Sequence, residues 1–104
     1  MKVVVDKSLQ DYMIKHDQYV LTLMMNQDYG MLSTNPAHPV VKHHAPRNPE
    51  HFEAYRVDNL TIYVEDKIVP ESDVIELHDH VRLGLHSCQI KGIKQQEDHF
   101  LKLP

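Results

Sequence analysis

The residues with the most chemistry to offer crowd into one stretch, "ELHDHVRLGLHSC", residues 76–88. It holds His78, His80, His86 and Cys88, the only cysteine of the chain. Side chains two residues apart share one face of a strand, as two imidazoles of a chelate must. On an unbroken strand Glu76, His78, His80, Arg82, Gly84, His86 and Cys88 fall on one face. Ile75, Leu77, Val81, Leu83 and Leu85 fall on the other, with Asp79 the polar exception. His78, His80 and His86 are thus the candidate ligands of a divalent metal, with Glu76 as a further donor and Arg82 as an opposing charge. The His-x-His spacing also suits a cupin-like metal-dependent enzyme, which needs a closed barrel around the pair. Such a site wants a glutamate shortly after, where this chain has Val81, Arg82, Leu83 and Gly84. The plainer reading is a solvated strand face, which needs no ligand.

Cys88 follows His86 by two residues, so a nucleophile–base pair is conceivable. No glycine-rich turn or helix start beside it offers an oxyanion hole. A small, half-buried strand cysteine fits the pattern better. One cysteine makes no internal disulfide, no CxxC pair and no thiolate zinc site. A second histidine cluster, His38, His43, His44 and His51, lies in a proline-rich segment and has no recognised ligand spacing. No cofactor is required by these patterns, and a divalent metal is the one they admit.

These residues must be positioned by a small scaffold. With 104 residues, 41% of them hydrophobic, one domain spanning 1–104 with a modest core is expected. The net charge is −4 with histidine neutral, and no long basic run appears. That argues against nucleic-acid and anionic-membrane partners. Full protonation of the nine histidines would reverse the sign of the charge. The N-terminus has no apolar stretch suited to a signal peptide, and no run approaches a membrane span, so a soluble cytoplasmic protein is expected.

"KVVV" reads as a first strand, and "SLQDYMIKH" as one short amphipathic helix with Asp6 or Ser8 as its cap and His16 near its end. "YVLTLMM" (19–25) reads as a strand buried on both faces. Residues 26–51 carry four prolines and no sustained period, so they read as a long central loop. "FEAYRVDNLTIYVED" predicts a hairpin turning at Asp58-Asn59, with Val57 opposite Leu60, Tyr55 opposite Ile62 and Glu53 opposite Val64. Two more strands are expected over roughly 74–78 and 81–90, with a bend near Asp79 and a polar tail over 95–104. The fold class predicted is α+β, mostly antiparallel β with one short N-terminal helix and a long central loop.

The order of these elements, with the hairpin "YRVDNLTIYVEDK" and the late strand "RLGLHSCQIKGIK", resembles the HesB-like family of A-type iron–sulphur cluster biogenesis proteins. The resemblance spans roughly residues 1–94 and implies a HesB-like fold with curved sheets. A-type carriers use three cysteines, two of them in a C-terminal CxC. Small relatives carry a Cys-Cys or Cys-selenocysteine pair soon after the second strand. Here that region reads "MMNQDYG" and the C-terminus "KQQEDHFLKLP", so no family ligand carries over to a residue of this chain. The resemblance therefore implies a fold without a cluster. The function expected is that of a non-enzymatic accessory or binding protein, contacting a protein partner or a second copy of itself through residues 26–51 and the even face of 76–88. The alternatives are the histidine-based metal binder and the cupin-like enzyme.

Overall fold

The computed structural model describes residues 1–26, 38–93 and 99–102. The described chain runs β1 (Lys2–Val5), α1 (Lys7–Lys15), β2 (Val20–Asn26), β3 (His38–Lys42), a single 3-10 turn (Pro49–His51), β4 (Phe52–Val57), β5 (Leu60–Glu65), β6 (Val74–Arg82), β7 (Leu85–Lys91) and β8 (His99–Lys102). The strands form two four-stranded sheets, ordered β1-β6-β7-β8 and β3-β2-β5-β4. The protein is a strand-rich α+β fold with one short α-helix among the described residues.

Helix α1 starts where Asp6 caps it, its Oδ1 accepting the Leu9 N–H at 2.8 Å. It stops at a left-handed Asp17 (φ 56°), with Gln18 N–H on the Met13 carbonyl and Asp17 N–H on that of Ile14. Its apolar stripe buries Leu9 and Met13 completely. These side chains join Val3, Val5, Ile75, Leu77, Cys88 and Ile90 of the first sheet. Leu21, Leu23, Leu60, Ile62 and Val64 of the second sheet belong to the same core. At Gly92 (φ 95°) a Cβ would collide with the Val74 carbonyl oxygen, so only glycine fits there. Among the described residues no helix is long and apolar enough to cross a membrane.

The β4–β5 register pairs Val57 with Leu60, Tyr55 with Ile62 and Glu53 with Val64, as the sequence predicts. The pairings are mostly antiparallel, as expected, but each sheet is mixed, because β1 pairs parallel with β6, and β2 with β5. Helix α1 carries the chain from one sheet to the other, so consecutive strands do not pair there. Three other expectations are corrected. The segment read as one loop over 26–51 contains β3, antiparallel to β2, and the 3-10 turn. The part of it over 27–37 lies outside the described residues. The predicted bend near Asp79 is absent: β6 runs straight through it, and the chain turns at Leu83-Gly84. Within the tail, β8 adds to the first sheet beside β7.

Residues 43–51 arch over the outer face of the second sheet. The arch is tied down at one end by Thr22 Oγ1, which donates to the His44 carbonyl at 2.6 Å. At the other end Asp66 N–H donates to the His51 carbonyl at 2.9 Å. Thr22 is thereby buried although its strand parity faces away from the core.

Candidate functional site

The β6–β7 hairpin decides where the candidate histidines point. Its register pairs Asp79 with Cys88, His80 with Ser87 and Val81 with His86. Directly paired residues share a face. His86 and Cys88 therefore lie with Asp79, Leu77 and Ile75 on the core face. His78 and His80 lie on the opposite one. The single even face expected for His78, His80 and His86 is overturned, because the turn at Leu83-Gly84 exchanges the parity of the two strands. Among the described residues no three or more His, Cys, Asp or Glu side chains gather where one metal ion would reach them.

Each histidine is bound up locally instead. His78 Nδ1 stands 3.2 Å from Asp6 Oδ2, and its Nε2 3.4 Å from Glu76 Oε1 in ion-pair range. Asp6 thus caps α1 with one oxygen and holds His78 with the other. His86 Nδ1 lies 2.9 and 3.1 Å from the two oxygens of Asp79, and Ser8 Oγ donates to Asp79 Oδ2 at 3.1 Å. The Asp79 side chain is only 3% exposed, so this carboxylate needs those donors. The Tyr12 ring stacks on His86 at 4.1 Å and tilts against His16 at 4.3 Å. Ser8 serves the carboxylate rather than an imidazole, so no activated hydroxyl stands in this cluster. His80 is exposed at the far end of β6.

Cys88 shares a face with His86, as expected, but it is fully buried rather than half-buried. Burial, followed by the charges of Asp6 and Asp79, pushes its thiol up to about 12. A thiol so protected is inert as a nucleophile at neutral pH. Of the second cluster, His44 and His51 are exposed, and both ring nitrogens of His43 are shut off from solvent without a hydrogen-bond partner. The side chain of His38 lies outside the described residues. The cupin-like reading requires a closed barrel around His78 and His80; the described strands form two four-stranded sheets, and His78 is tied to Asp6.

What sequence reasoning missed is the hairpin tip. Strand β1 pairs with β6 only as far as Leu77, and β8 with β7 only from Ser87 onward. Among the described residues, β6 and β7 continue beyond those points as a two-stranded ribbon ending in Leu83-Gly84. Leu83 is 94% exposed, Leu85 69% and Val81 52%. Leu83 also takes a positive φ of 53°, which costs an L-residue with a Cβ about 1–2 kcal/mol. Three apolar side chains in water on one strained turn are a signal that only the register reveals.

The chain matches the model of the CC/Se motif containing family over residues 1–93. It belongs to that family. No curated protein and no solved structure matches it. The HesB-like resemblance is thereby corrected. It rested on element order and a degenerate hairpin pattern, and the family-model match overturns it. The family's description names a CC/Se motif, yet this chain has one cysteine, so it lacks any Cys-Cys pair.

Proposed function

We propose that this member of the CC/Se motif containing family is a non-enzymatic binding module that docks onto an apolar pocket of a partner protein through the tip of its β6–β7 hairpin. The observation that carries this reading is Leu83, exposed to 94% on a backbone conformation that disfavours it. An exposed leucine alone is ordinary. Here it sits between Val81 and Leu85 at the end of a projecting ribbon, where an anchor side chain enters a partner's pocket. The buried thiol of Cys88 supports a role without thiol chemistry.

The test is site-directed crosslinking from within the full chain in its native cells. A photoreactive phenylalanine analogue replaces Leu83 in one variant and Lys67, exposed elsewhere, in another. A discrete adduct from position 83 that is absent from position 67, and that disappears on adding Leu85→Asp, is the expected result. An adduct at twice the 12.2 kDa chain mass would identify the partner as a second copy. Equal or no adducts from the two positions would overturn the reading.

A further inference from the structure

The arch over residues 43–51 and the sheet beneath it enclose a cleft of about 330 Å³, remote from the hairpin tip in the strand order. Its floor is Thr22, Met24 and Phe52. Lys42, His44 and Arg47 stand among its walls, and no carboxylate lines it. In a chain with fifteen acidic residues against eleven Lys and Arg, that is a local reversal of charge. Among the described residues neither the Lys42 nor the Arg47 side chain is engaged in an ion pair or hydrogen bond.

We propose that this cleft is a binding site for a small organic anion, a carboxylate or phosphate carried on a flat apolar body. The chemistry divides between the two parts. A guanidinium fork matches the two oxygens of either head group, and the Lys42 ammonium adds a mobile point charge. The Phe52 ring and the Met24 thioether offer a polarizable floor for a planar apolar body. The cleft is also built before any ligand arrives. Thr22 holds His44 from the sheet side, His51 is held by Asp66, and Pro46 and Pro49 fix two φ angles between those ties. A preformed cleft spares the ligand the ordering of its own walls.

The test is a ¹⁵N NMR titration of the full chain with phenyl phosphate and benzoate, with benzyl alcohol and inorganic phosphate as half-ligands. Saturable shifts confined to the backbone of residues 22–24 and 42–52 are expected with both aromatic anions, and the tighter one names the preferred head group. Each half-ligand should bind at least about tenfold more weakly, since it forfeits one part of the site. The Lys42→Gln/Arg47→Gln variant replaces two exposed side chains, so its melting curve should match the parent while affinity for phenyl phosphate falls about tenfold or more. No saturable shift below about 10 mM, or undiminished binding by the folded double variant, would overturn the proposal.

Discussion

Asp79 occupies a sheet position that parity reserves for apolar side chains, between Leu77 and Val81 and across from Cys88. A buried carboxylate left without donors costs several kcal/mol, roughly the margin by which a small domain is stable. Ser8 from α1 and His86 from β7 supply those donors, so the polar exception ties the helix to the sheet. His86 and Asp79 of the histidine-rich stretch are thus tied into the packing of helix on sheet. The charges of Asp79 and Asp6 also add to burial in raising the Cys88 thiol from 9.0 to about 12. A shift of that size lowers the thiolate fraction near pH 8 about a thousandfold. The native protein should therefore leave an aromatic disulfide reagent unreacted over hours, and release one thiol per chain in strong urea. The direction extends to stability. The thiol ionises in the unfolded chain near pH 9 but in the folded one only near 12, so its contribution is lost as pH rises through that interval. Prompt labelling of Cys88 under native conditions would show that the core opens far more readily than its packing implies.

Two hairpins of similar size differ in how they announce themselves. The β4–β5 turn carries Asp58 and Asn59, residues suited to unusual φ, and Asp58 takes φ 52°. Alternating apolar residues on both sides then fixed its register without a structure. The β6–β7 turn carries Leu83 before Gly84, and leucine gives no turn signal. The strand was therefore carried past its true end, and every parity assignment beyond it was reversed. The same weakness hid β3, where Pro39 sits on an edge strand that tolerates it. Helix α1 was legible because its cap, apolar stripe and terminal histidine all agree. The cleft beneath residues 43–51 was not, since its floor and walls come from three strands and the arch itself and meet only in the fold. A trade-off at the turn follows from the docking role. Asparagine adopts positive φ more readily than leucine, so Leu83→Asn should stabilise the fold by about 0.5–1 kcal/mol in urea denaturation. The same change should abolish partner contact. A variant that is less stable than the parent would mean that Leu83 packs against this chain rather than waiting for another.

At the scale of the whole molecule, nine histidines make the charge balance sensitive to mild acid, and most of those described are at least partly exposed. His43 is different, because both its ring nitrogens are closed off without a partner. Burial, with a smaller contribution from neighbouring His44, lowers its pKa from 6.5. The folded chain therefore holds the neutral imidazole, while the unfolded chain takes up a proton near pH 6.5. Below that value the unfolded state binds more protons, so stability falls as pH falls. The contribution of neutral His43 is fully present above about pH 6.5 and is lost as pH drops towards its folded pKa. Leucine at this position removes the titration and two unsatisfied polar atoms together. His43→Leu should be more stable than the parent by about 1 kcal/mol at pH 7.5, from the removal of the orphaned nitrogens. Its advantage should widen at pH 5, where only the parent must exclude a proton. Urea midpoints of both proteins at the two pH values measure this directly. An advantage that stays constant between them would place the acid sensitivity of the fold in the other histidines and leave His43 a packing residue.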